Sequence, residues 1–82
     1  MDNTDELAIR IVNYVREIMG NNIIHNGYQR HKSHITFNLE WKEKGVLQNF
    51  SIRIERLNDN NTTLEYRFNK IINYMKDHRV PI

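Results

Sequence analysis

Cysteine is absent from this 82-residue chain, proline and alanine occur once each, and glycine occurs three times. Without cysteine there can be neither a disulfide scaffold nor a thiolate metal site. Three scattered glycines leave no phosphate-cradling loop, and no G-x-S-x-G, P-loop or G-x-G-x-x-G pattern occurs. No apolar run approaches the roughly 18 residues a membrane-spanning helix needs. The first residues, Met1-Asp2-Asn3-Thr4-Asp5-Glu6, are acidic where a secretory signal carries positive charge. These absences lead us to expect one soluble, cytoplasmic α+β domain over residues 1–82, with no cofactor and no membrane partner.

Neither sign of charge is in large excess, with 12 basic and 10 acidic groups and a net charge of +2. The distribution is less even than the sum. Residues 1–29 carry two basic and four acidic groups, residues 30–57 six and three, and residues 58–82 four and three. The positive excess therefore sits in the middle of the chain. What the sequence has in quantity is asparagine (12) and isoleucine (11). Both have A/T-rich codons, which points to an AT-rich genome such as that of a low-GC bacterium or a phage.

The hydrophobic pattern changes period along the chain. Over residues 4–19, Leu7, Ala8, Ile11, Val12, Val15, Ile18 and Met19 share one helical sector, with Arg10, Asn13, Arg16 and Glu17 opposite. Asn3 and Glu6 read as its capping box and Gly20 as its stop. From residue 33 the period becomes two. Ile35, Phe37, Leu39 and Trp41 alternate with polar residues, then Phe50, Ile52 and Ile54 do the same. A turn over Lys42–Gly45 pairs positions whose numbers sum to 87, placing both apolar rows on one face. Asn26-Gly27 reads as a type I′ turn after a short strand at 22–25. Beyond a polar connector at 58–61, Thr62 and Glu65 read as the capping box of a second helix over 63–78. Leu64, Phe68, Ile71, Ile72 and Met75 form its apolar stripe, and Pro81 follows its end. The expected order is α-β-β(-β)-α, with two helices on one face of an antiparallel sheet and the other face polar. This is the topology type of double-stranded-RNA-binding domains, which by itself assigns no function.

Candidate site residues fall in two patches. In the 87-sum register His34 faces Arg53 and Lys32 faces Glu55 on the polar sheet face, with Thr36, Asn38, Asn49 and Ser51 beyond and Arg30 and Arg56 at the same end. Such basic and hydrogen-bonding groups suit a phosphate or an acidic protein surface, while the ordinary alternative is a solvated sheet face. On the outside of the second helix, Tyr66, Lys70 and Tyr74 form an i, i+4, i+8 ladder with Arg67 alongside. Exposed tyrosines beside cations are enriched at binding surfaces and can stack on unpaired bases. Equally, tyrosine tolerates exposure and a lysine can simply lie along its rings.

Catalytic and metal chemistry find little support. His31 and His34 are three apart and would point to opposite faces of one strand, with no carboxylate at ligand spacing. No metal is expected. Ser33 and His34 are neighbours whose side chains would diverge on a strand. Glu40 and Glu55 lie near opposite ends of the hairpin, too far apart for shared acid–base work. His78 falls in the last turn of the second helix, where a partly cationic ring suits the dipole.

Gly27-Tyr28 followed by Ser33-His34 and Phe37, with Thr63-Leu64 and Lys70 near the end, resembles the HicA-type mRNA interferase toxins. Lys32 stands where that pattern carries a glycine before the serine. The resemblance implies a double-stranded-RNA-binding-like fold and makes His34 the catalytic residue. From the residues themselves, the expectation is a non-enzymatic regulator of phage or mobile-element type. It would bind a protein, or secondarily nucleic acid, through the sheet face or the outer helix face. An RNA-directed toxin using His34 and a structural homodimer are the alternatives.

Overall fold

The computed structural model describes residues 2–57 and 61–82. Its order is α1 (Thr4–Met19), a single 3-10 turn at Gly20–Asn22, β1 (Ile23–Arg30), β2 (His34–Glu43), β3 (Val46–Glu55) and α2 (Leu64–Asp77). The strands form one antiparallel sheet in the order β1-β2-β3. This is the expected α+β arrangement, α-β-β-β-α, and no helix among the described residues is long and apolar enough to cross a membrane.

Helix α1 forms because one stripe of its surface is apolar, and that stripe is what the fold buries. Leu7, Ala8, Ile11 and Val15 are fully enclosed. Ile18, expected in the same sector, stays half-exposed at the helix end. Gly20 closes the helix at φ 53°, a conformation that favours glycine. The start differs from expectation. Asn3 holds the N-cap position but makes no side-chain cap bond, and it is Asp2 whose Oδ1 accepts from the Thr4 amide at 3.0 Å. The Asn3 side chain is drawn towards α2 instead, donating to the Thr62 carbonyl and accepting from Arg67.

The sheet corrects two expectations. First, Asn26-Gly27 is not a turn. The chain runs straight through it, and β1 pairs with β2 from Ile23↔Trp41 to Arg30↔Ile35, with a bulge between Ile23 and His25. The Asn26 amide donates to the Val12 carbonyl of α1 at 2.9 Å. That tie holds Asn26 in the strand, so the reversal falls at His31–Ser33. Second, β2 and β3 pair with positions summing to 89, as in Leu39↔Phe50, Phe37↔Ile52 and Ile35↔Ile54. The loop is only Lys44-Gly45, and both residues have positive φ, 53° and 78°. That is the two-residue primed turn whose twist suits a hairpin, and it tightens the expected register by two positions. A two-residue shift keeps every side chain on its predicted face.

α1 packs over β1 and β2, and α2 packs against α1. Ring contacts of Phe50 with Tyr74 and His78, 6.1 Å between centroids in each case, place α2 on the β3 side. Phe37, Leu39, Ile35, Phe68, Ile72 and Met75 complete the core. α2 begins one residue later than the expected capping box. Thr63 caps it, accepting from the Tyr66 amide at 3.1 Å, because the third amide of the helix is the one a cap hydroxyl reaches. The expected polar connector lies outside the described residues except for Asn61.

Candidate functional site

With both helices on one face, the other face of the sheet is uncovered. It is built from alternate residues of three strands: His25, Gly27 and Gln29 of β1, His34, Thr36, Asn38 and Glu40 of β2, and Asn49, Ser51, Arg53 and Glu55 of β3. Their partners in the pleat point into the core, so the same alternation that buries Phe37 and Leu39 lifts Thr36 and Asn38 outward. A shallow depression of about 590 Å³ lies there, with His25, Gln29, Asn38, Glu40, Asn49 and Ser51 among its lining. Ser51 Oγ donates to Asn38 Oδ1 at 2.8 Å across the β2–β3 pair. The depression is rich in hydrogen-bonding groups and holds little net charge.

The basic residues expected on this face mostly lie elsewhere. Arg30 is opposite the buried Ile35, which turns it to the helix side, where it pairs with Asp5 at 2.8 Å. Arg56 also reaches the helix side, bonding Asp5 at 3.0 Å, Asp2 at 3.2 Å and the His31 carbonyl at 3.0 Å. The Arg56 hydrogen bond holds the Asp5 carboxyl below its ordinary range, with Arg30 adding to it. Burial pushes Asp2 up, but hydrogen bonds from Thr4 and Arg56 outweigh that and leave it lowered too. The acidic start of the chain thus neutralises two cations of the basic middle. Lys32 sits in the β1–β2 turn, exposed, and does not face Glu55. Arg53 stays on the open face but is opposite Thr36, not His34, and pairs with Glu55 at 2.5 Å.

His34 is opposite Glu55. Two expectations about it are reversed, because residues 31–33 form a turn in place of a continuous strand. Ser33 Oγ lies 2.8 Å from His34 Nδ1, and the rings of His31 and His34 stack at 4.4 Å. Loss of solvation, with the positive charge of Arg53 nearby, lowers the His34 pKa below its ordinary value, against an opposing pull from Glu55. Neither Ser33 nor His34 lines the depression. Among the described residues no group of three or more acidic or histidine side chains could hold a metal.

The α2 patch is also partly redrawn. Tyr66 and Tyr74 are exposed as expected, with Lys70 Nζ 5.6 Å from the Tyr66 ring centre. Tyr74 leans on Phe50 and on His78, whose Nδ1 bonds the Tyr74 carbonyl at 2.8 Å. Arg67 does not belong to this face. It is buried at 7% exposure, donating to Asn3 Oδ1 and, at 2.8 Å each, to Thr4 Oγ1 and the Glu55 carbonyl. It ties α2 to the start of α1 and the end of β3, and burial lowers its pKa. His25 and Gln29 were missed from the sequence because the Asn-Gly pair outweighed the alternation of Gly27, Tyr28 and Gln29.

No protein-family model, curated protein or solved structure matches this chain.

Proposed function

We propose that this protein is a non-enzymatic binding module that engages another protein through the uncovered polar face of its sheet. The supporting observation is the composition of that face, where amides and hydroxyls outnumber charges. Asn38, Asn49, Ser51, Gln29 and Thr36 offer donors and acceptors, while Arg30 and Arg56 are held by Asp5 and Asp2 on the other side. A phosphate-led interface needs several unpaired cations aligned on one face. Of the two strand cations on this face, Arg53 is paired with Glu55 and Lys42 stands apart at the hairpin end, opposite Leu47. Polar side chains without net charge suit backbone and side-chain groups of a polypeptide.

Titration with single- and double-stranded oligonucleotides at two salt concentrations tests this reading. We expect no binding at about 0.15 M salt. Binding that weakens steeply with salt and is lost in Arg53→Glu would put a nucleic acid on this face instead.

A second reading is favoured by one observation, the Ser33–His34 contact beside a stacked His31. In it His34 is the catalytic residue of an RNA-directed toxin, as the HicA-type resemblance implies, acting as general acid or base. RNA cleavage by the wild type that is abolished in His34→Ala would carry that reading, and equal cleavage by both would remove it.

A further inference from the structure

The sheet has two free edges, and they are not alike. The β1 edge is interrupted by a bulge and tied to α1 through Asn26, devices that blunt an edge against further pairing. β3 pairs with β2 over its whole length without a bulge, and it carries neither proline nor lysine. The Arg56 amide bonds the Ser33 carbonyl. By the antiparallel alternation, even-numbered residues of β3 therefore bond β2, and odd-numbered ones turn their amides and carbonyls outward. The bond from Arg67 to the outward Glu55 carbonyl fits this pattern.

Beside that edge runs a groove of about 510 Å³ under α2. Ile52 and Ile54 from the helix side and Arg53 and Glu55 from the open side line it together. Neighbours of opposite parity can share one cavity only where it follows the outer edge of the strand. Its far wall comes from Ile71 and from Tyr66 and Lys70, two members of the exposed α2 ladder. Among the described residues no carboxylate pairs with Lys70, whose contact is the Tyr66 ring.

We infer that the β3 edge and the α2 groove take an extended acidic segment of a partner protein as a fourth strand. Its backbone pairs with Asn49, Ser51 and Arg53. One apolar side chain enters the groove against Ile52, and an acidic side chain meets Lys70. The charge of the rim decides against a second copy. Two β3 strands joined edge to edge would bring two Lys70 rims together, and the acid lining each groove, Glu55, is already held by Arg53. This surface meets the open sheet face at Arg53 and Glu55, but it binds through the strand edge and the groove and does not depend on the reading given for that face.

The probe is a capped decapeptide alternating valine and threonine with one central glutamate, compared with its lysine twin by fluorescence anisotropy on the full chain. The glutamate peptide should bind about tenfold tighter than the lysine peptide, and Lys70→Glu should reverse the preference. Methylating alternate backbone nitrogens of the peptide should abolish binding while leaving the protein untouched. Asn38→Arg, on the open face, should change none of this, which separates failure here from failure of the sheet-face reading. Absence of binding, equal affinity for the two peptides, or indifference to N-methylation would overturn the proposal. A dimer of the chain alone in sedimentation would overturn it in favour of a second copy.

Discussion

At the scale of single residues, the fold depends on a few charged groups placed where charge is expensive. Arg67 is the clearest case, a buried cation held by an amide oxygen, a hydroxyl and a backbone carbonyl. Removing it leaves acceptors unsatisfied where water is excluded, so Arg67→Ala should cost about 2–3 kcal/mol in denaturant titration. Asp2 and Asp5 act through Arg56, and their folded pKa values lie below the ordinary 3.8. A depressed carboxylate stabilises the fold above its unfolded pKa. That contribution is lost as the pH falls through the lower folded value. Urea midpoints should therefore drop below about pH 4, and the drop should be shallower in Arg56→Gln. No sequence pattern announces these pairings. Asp5 and Arg56 are far apart in the chain and meet only because α1 lies over the end of the sheet.

At the scale of elements, periodicity carried the reading where the competing local signal was weak. The apolar sector of α1, Ile18 apart, and the alternation from Ile35 to Trp41 place these residues as the structure does. Two short motifs misled. Asn26-Gly27 has turn chemistry, yet its amide is satisfied by Val12 of a neighbouring helix, a tertiary contact no local rule contains. Thr62 and Thr63 are adjacent candidate caps, and only the helix start decides between them. The hairpin turn was legible in place but not in length, since Lys44 adopts a left-handed conformation that a lysine rarely takes. Lys44→Asn should thus stabilise the protein by about 0.5–1 kcal/mol, because asparagine tolerates that backbone better. Gly45→Ala should cost about 1–2 kcal/mol. Thermal melts of the two variants should move in opposite directions.

At the scale of the whole molecule, the uneven charge of the sequence has a structural counterpart. The acidic start of α1 folds over the basic end of the sheet and consumes Arg30 and Arg56, so a patch that looks basic in one dimension is largely neutral in three. Reading the sheet face as polar was within reach of the sequence. Seeing that Arg30 and Arg56 leave this face required the packing of α1. The uncovered face, lined by amides and hydroxyls from three strands, is therefore the surface on which a protein partner is proposed to sit. Photo-crosslinking tests this most directly, with a benzophenone amino acid placed at Asn38 in the centre of the face and, as a control, at Asn13 on the outer side of α1. The account predicts a discrete protein adduct from position 38 and none from position 13. Adducts to nucleic acid from position 38, or the same protein captured from both positions, would contradict it.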